Sequence, residues 1–267
     1  MSANLELQRV NEWGGLRGFA NLFRKEHRAW WGTRRWWINA LLWTVLFGGF
    51  TAAIMLFAPS EGANQVAETE IIQAGAEIFF EFGCILLAVG TVILAQDLII
   101  GEKQSGVVEW LLSKPVVRRS YILAKLAANA LPVLVLLVGL PSTMVYGLLS
   151  LRMGAPFPFA PFLSAVGIMT VHTLFYLTLT LMLGTIFNNR GPILGITLGS
   201  VLGGSILGGF IKPLFYVTPW ILPKVASGTA TGQAILAEMG LAPLIATILW
   251  SLGFILVALW KFEKTEF

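Results

Sequence analysis

The sequence predicts an all-α polytopic membrane protein, and three observations carry that. Of 267 residues, 56% are hydrophobic and only 12% are charged, about half the charged fraction of an ordinary soluble domain. Several apolar runs exceed the ~20 residues that a helix needs to cross a bilayer core. The chain also carries 28 glycines and 12 prolines, both more frequent in membrane helices than in soluble ones. These features describe a single transmembrane domain over residues 1–267 with six transmembrane helices.

Residues 1–12 read as a loose polar lead without the apolar core of a signal peptide. Residues 13–35 are more ordered in pattern. Apolar Leu16, Phe19, Ala20, Phe23, Trp30 and Trp31 recur near helical spacing, with Arg17, Asn21, Arg24, Lys25 and Arg28 between them. Such a helix lies in the headgroup region, apolar side down and basic side toward anionic lipid. A basic flank that only sets orientation is the alternative.

Span 1 covers about 37–58 and ends at the turn 59–62. The loop 59–77 holds Glu61, Glu68, Glu70 and Glu77 and no lysine or arginine. Span 2 covers about 78–100, with Glu81 near one end and Asp97 near the other. The charged loop 101–120 follows. Span 3, about 121–149, contains Pro132 and Pro141, which remove helix hydrogen bonds and predict kinks. A turn at 152–158 leads to span 4, about 161–187. A tight turn at 188–191 leads to span 5, about 192–210. Span 6 covers about 241–260, and a short polar tail closes the chain.

An even number of spans puts both termini on one side. With the N-terminus cytoplasmic, the inner segments carry 15 lysines and arginines and the outer ones 3. That asymmetry places both ends in the cytoplasm. The net charge of +4 is then an orientation signal and implies no nucleic-acid partner. One cysteine, Cys84, excludes a disulfide framework within the chain.

The segment 211–240 has Pro213, Pro219 and Pro223 within an apolar stretch and then turns polar. It is too broken to span, and reads as short helices re-entering the outer leaflet before span 6, or as an interfacial loop. In span 5, Gly191, Gly195, Gly199 and Gly203 repeat every four residues, and Gly204 and Gly208 add a second pair. Small residues at this spacing let another helix approach closely. The partner could be a second subunit, a transport pathway or a neighbouring span. Glu81 and His172 are ionisable groups inside spans, a costly placement that often marks a substrate path. Glu81 could equally reach water at the interface, and His172 could hydrogen-bond a neighbouring helix. Asn129 reads as interhelical glue, and Asp97 as support for the loop that follows it.

The loop 101–120 is the one long charged segment between apolar spans. Glu102 to Leu112 can form a short helix that Lys114-Pro115 stops. Its apolar surface, with Trp110 and Leu111, is costly in water unless something covers it. Either a partner protein or the bilayer interface can do so.

The residues of this loop carry a family resemblance. They run Glu102, Ser105-Gly106-Val107, Glu109-Trp110-Leu111-Leu112-Ser113-Lys114-Pro115-Val116, Arg118-Arg119-Ser120 and Lys125. The run resembles the signature loop of ABC transporter permeases of the type-2, ABCG-like exporter class, which includes the copper-enzyme-maturation permeases. Val107 and Trp110 replace a common threonine and leucine without loss of apolar character. The resemblance implies a coupling helix between spans 2 and 3 that docks on a separate ATPase. The coupling residues would be Glu102, Ser105, Gly106, Glu109, Trp110, Leu111, Lys114 and Arg118, with Trp110 and Leu111 as apolar anchor. It also implies two permeases, as a homodimer, with two ATPase subunits, and a pathway lined by spans 2 and 5. Relatives with such a loop move sodium, antibiotics or lipids.

What is missing agrees with this. The sequence has no G-x-x-x-x-G-K-[ST] motif, so it holds no nucleotide phosphates in a P-loop. The expectation is no cofactor on this chain, with ATP and magnesium on the partner. His27 and His172 are far apart, and no catalytic or metal-ligand cluster is visible. An intramembrane enzyme is therefore the weaker alternative, and a non-transporting scaffold or assembly factor the other.

Overall fold

A computed structural model describes residues 16–57, 65–233, 235 and 239–265. The lead 1–12, the start of the interfacial segment at 13–15 and the turn 59–62 lie outside the described residues. Among the described residues the protein is helical throughout, without a strand. Among the described residues five helical runs are long and apolar enough to cross a membrane, against the six spans expected: Arg35–Met55, Glu68–Gln104, Arg118–Met153, Phe159–Ile186 and Ala242–Lys264; span 5 is not among them.

Helix α1 (Phe19–Trp31) is amphipathic and buries Leu22 and Trp30. The Trp30 indole N–H donates to Asn129 Oδ1 (2.6 Å), and Asn129 in turn donates to the Lys125 carbonyl (2.8 Å). Asn129 thus ties α1 to the third long helix. After the Gly32 turn comes α2 (Arg35–Phe57), whose Leu41, Val45 and Phe50 are exposed. A helix that exposes apolar side chains this way is dressed for lipid tails.

Helix α3 (Gln65–Ala95) has 31 residues, so it begins well before the expected start of span 2 at 78. Residues 65–77, expected as loop, are its first turns. Glu and Ala are good helix formers, and Glu68 is held by Arg152 at 2.9 and 3.1 Å. The acids that looked like a loop are the polar end of a helix that runs past the apolar zone. Glu81 therefore lies about 24 Å along α3 from Gln65, at 1.5 Å per residue.

Two short helices follow, α4 (Ile100–Gln104) and α5 (Val107–Leu112). Then α6 (Arg118–Pro132), a π-helical segment (Val133–Gly139) and α7 (Leu140–Met153) form one run. The prolines do not break it. Pro132 immediately precedes the wide π turn, which absorbs the missing donor. Pro141 sits in the first turn of α7, where its missing N–H costs least.

Helix α8 (Phe159–Ile186) is buried along most of its length and forms the centre of the bundle. Next comes α9 (Arg190–Phe210). From its end, α10 (Leu214–Val217), a 3₁₀ turn (Pro219–Ile221) and α11 (Leu222–Thr231) fold back into the bundle, and α11 packs between α3 and α8. The return path can be traced on α9. Phe215 lies against Gly208 and Trp220 against Gly204, one helical turn, about 5–6 Å, further in. The Trp220 indole also donates to Ser200 (3.3 Å). Finally, α12 (Ala242–Lys264) runs along α8 and α6.

Candidate functional site

The loop between α3 and α6 is two helices at an angle, not the single helix expected over Glu102 to Leu112. Gly106 lies between them at φ 69°, a left-handed conformation that glycine enters without strain. Ser105 closes α4 by donating its hydroxyl to the Gly101 carbonyl (2.7 Å). Such local side-chain bonds compete with helix continuation and favour a stop.

The two faces of α5 differ sharply. Val108 and Leu111 are buried with Leu22, Ile99, Tyr121 and Phe262. Glu109, Trp110, Ser113 and Lys114 are exposed. Trp110 is 65% exposed while Leu111 is only 6% exposed. The expected anchor pair therefore splits: Leu111 fastens α5 to its own bundle, and Trp110 alone projects outward. The helical period explains this, since adjacent residues point about 100° apart. The Lys114 ammonium lies 5.2 Å from the Trp110 ring centroid, so it braces the indole. A tryptophan this exposed leaves apolar area in water worth on the order of 3 kcal/mol.

The charges near the loop mostly face inward. Glu102 accepts from Lys25 Nζ at 2.7 Å and from the Tyr121 hydroxyl at 2.8 Å. Lys125 Nζ lies 3.2 Å from Glu102 and 3.0 Å from Glu26. The Lys125 side chain is 4% exposed and that of Glu102 18%. Two cations and two anions thus form a neutral cluster joining α1, α4 and α6. A neutral, closely paired set is the form in which buried charge is tolerable. Glu102, expected at the docking surface, is instead committed to the inside of the subunit.

Other loop residues hold the remaining elements. Lys103 Nζ donates to the carbonyls of Thr185 (2.9 Å) and Phe187 (3.3 Å), the free acceptors at the end of α8. Gln104 donates to the Asn188 carbonyl (3.1 Å). Arg118 donates to the carbonyls of Glu263 (2.8 Å) and Thr265 (2.6 Å) at the end of α12. Arg119 pairs with Glu263. Asp97 pairs with Arg190 at 2.8 Å and packs beside Gly101. One loop therefore grips α1, α6, α8 and α12 at the same end of the bundle. The sequence pointed to Arg118 and Lys125 here but not to Glu26, Lys103 or Tyr121, and it assigned Lys25 to the lipid-facing side of the interfacial helix, whereas Lys25 pairs with Glu102. Tyr121 and Lys125 fall four apart on one helix face, which is a readable signal. Lys25 and Glu26 are 77 and 99 residues from their partners and leave no local trace.

The glycines of α9 divide into two classes. A Cβ built at Gly195, Gly199 or Gly203 would meet nothing within 4 Å, so this stripe is unpacked within the subunit. At Gly204 and Gly208 it would overlap Trp220 and Phe215. Gly208, which pairs with Gly204 in the sequence, lies with it on the packed face. Glu81 and His172, each expected as a candidate substrate-path residue, line one pocket between α3, α8 and the folded-back segment. Among the described residues no group of three histidine, cysteine, aspartate or glutamate side chains is placed to hold a metal ion.

Residues 20–267 match the family described as ABC-2 family transporter protein. No curated protein matches the chain. The family match covers nearly the whole helical bundle, from the first turn of α1 through the loop and the folded-back segment to α12. This multi-pass membrane protein belongs to the ABC-2 family of transporter proteins, as a permease subunit of an ABC transporter.

Proposed function

We propose that this permease is driven by a separate ABC ATPase that docks on the exposed face of α5. The single observation that carries the reading is the split of Trp110 and Leu111. A large apolar side chain projects into water beside Glu109, Ser113 and Lys114, while its neighbour locks the same helix to the bundle. Such an arrangement is stable when a partner covers the tryptophan.

The residues then take distinct roles. Trp110 inserts into the partner, and Glu109 and Lys114 set its orientation. Val108 and Leu111 make α5 move as one body with the bundle end. Glu102, Lys103 and Arg118 pass that movement to α1 and α6, to α8, and to α12. The ATP and magnesium belong to the partner, because this sequence has no P-loop.

In the same reading α9 is the sixth span, both termini are cytoplasmic, and the protein sits in the cytoplasmic (inner) membrane. The basic bias of the loop end supports this orientation. The open stripe at Gly195, Gly199 and Gly203 faces a second copy, giving a homodimer with two ATPase subunits. Movement from α5 reaches that seam through α8 and α9 and opens an exporting path. The test is co-purification of tagged permease from its own cells. Recovery of a P-loop ATPase with the unaltered protein, and its loss with Trp110→Ala at equal membrane abundance, is the expected result. Equal recovery with the variant overturns the reading.

A further inference from the structure

The pocket lined by the middle of α3 and of α8 is the least explained feature of the molecule. Its volume is about 220 Å³, and its walls include Glu81, His172, Tyr176, Phe215, Trp220 and Lys224. It lies wholly within one subunit, roofed by the folded-back segment. One helical turn along α3, Glu77 accepts from Gln233 (2.9 Å), closing the bundle beside it.

Three features of the pocket point to a ligand. The first is His172, which is 2% exposed and whose Nδ1 has no hydrogen-bond partner. A buried nitrogen without a partner costs about 1–3 kcal/mol, and a ligand can relieve that cost. The second is a pair of opposite charges. Glu81 and Lys224 line the same pocket, yet neither makes an ion pair among the described residues. Lys224 is exposed where the rest of α11 is buried or half-buried, so the cation sits at the rim and the acid on the α3 wall. The third is the aromatic lining. Tyr176, Phe215 and Trp220 line the same pocket, and an aromatic face attracts a cation.

We infer that this pocket binds a small zwitterion, with its ammonium between Glu81, His172 and the aromatic rings and its anionic group on Lys224. Two fixed charges too far apart to pair with each other match a ligand whose charges are separated by a few bonds. A neutral imidazole nitrogen accepts from the ammonium. The cavity is smaller than the ~300–1,000 Å³ of a site for drug-sized molecules, so it fits a headgroup or a compact solute. Phosphoethanolamine has this chemistry, free or as the headgroup of a phospholipid. The exposed Tyr216 and Val217 of α10 provide an apolar surface for acyl chains if the source is lipid.

The transporter reading gives the ligand its meaning as cargo, but binding itself needs no ATPase, so the two ideas fail separately. The full chain is placed in nanodiscs of phosphatidylglycerol, which lacks an ammonium. Calorimetry then follows phosphoethanolamine, dihexanoyl-phosphatidylethanolamine and, as an anion without an ammonium, glycerol 3-phosphate. Saturable binding of at least one zwitterion is expected, at least tenfold tighter than glycerol 3-phosphate. Glu81→Gln and Lys224→Gln should each weaken it about tenfold or more. Lys224 is on the rim, so its variant tests the idea even if Glu81→Gln folds poorly. Binding of free phosphoethanolamine assigns a soluble zwitterion, and binding of the lipid alone assigns a headgroup. No saturable binding of either, equal binding of glycerol 3-phosphate, or unchanged affinity in a folded Lys224→Gln protein overturns the inference.

Discussion

The ammonium of Lys125 lies 3.2 Å from the carboxylate of Glu102, and this lysine is 4% exposed. The contact joins the helix after the loop to the helix that begins it. Glu26 and Lys25 complete the cluster from α1, so three segments share one electrostatic joint. Charge of this kind is sensitive to the loss of a single member.

Removing one charge from that joint should cost more than removing a matched pair. Lys125→Met leaves Glu26 and Glu102 facing only Lys25, and truncating one member of a buried pair costs about 3–5 kcal/mol. Glu102→Gln with Lys125→Met restores neutrality. Thermal unfolding of both single variants and the double one should give a favourable coupling of about 1–3 kcal/mol. Additive losses would show that the contact carries no energy.

Trp110→Ala should leave the subunit nearly as stable as before, because Trp110 is 65% exposed and its ring lies beside the exposed Lys114. Its effect should appear at the partner. An interface tryptophan of this kind typically contributes at least ~2 kcal/mol, or more than tenfold in affinity. Stimulated ATP hydrolysis and transport in proteoliposomes should fall together. Leu111→Ala should do the reverse, destabilising the bundle end by about 2–5 kcal/mol as a core truncation.

Two glycines of one helix should respond in opposite ways. Gly204→Ala forces a methyl group into the Trp220 indole, and overpacking of this kind costs about 1–3 kcal/mol. A Cβ at Gly199 meets no atom of its own subunit within 4 Å, so Gly199→Leu should disturb the subunit far less than Gly204→Ala does. Its effect should be on the dimer, read by cross-linking in the membrane. A stable dimer in Gly199→Leu would move the seam elsewhere.

Orientation can be read with single cysteines in a Cys84→Ala background. Ser113→Cys, on the exposed side of the loop, should react with a membrane-impermeant maleimide only from the cytoplasmic face. Ala155→Cys, in the turn between α7 and α8, should react only from outside. The opposite pattern would invert the topology.

Much of the architecture was legible because the bilayer imposes a simple rule. Each spanning segment must satisfy its own backbone, so long apolar runs become helices. Helices α2, α8, α9 and α12 begin and end within a few residues of spans 1, 4, 5 and 6. The start of α3 was missed because hydropathy reports where lipid ends, and helix hydrogen bonding continues past that point. The prolines of span 3 mark where its regular α-helical pattern is interrupted: Pro132 borders a seven-residue π segment and Pro141 lies in the first turn of α7.

The amino-acid sequence by itself determined the class of protein, the order of its long helices, the charged loop between the second and third, and the lack of a P-loop. It also placed glycines on α9 and an acid and a histidine within spans. Only the tertiary structure decided which of these residues meet. It turned Glu102 and Leu111 inward and left Trp110 out. It packed Gly204 and Gly208 while leaving Gly195, Gly199 and Gly203 open, and it brought Glu81 and His172 to one pocket. The physical reason is that periodicity sets the direction of a side chain on its own helix. What waits in that direction comes from residues as far as 156 positions away, and only the packing of the bundle brings them there.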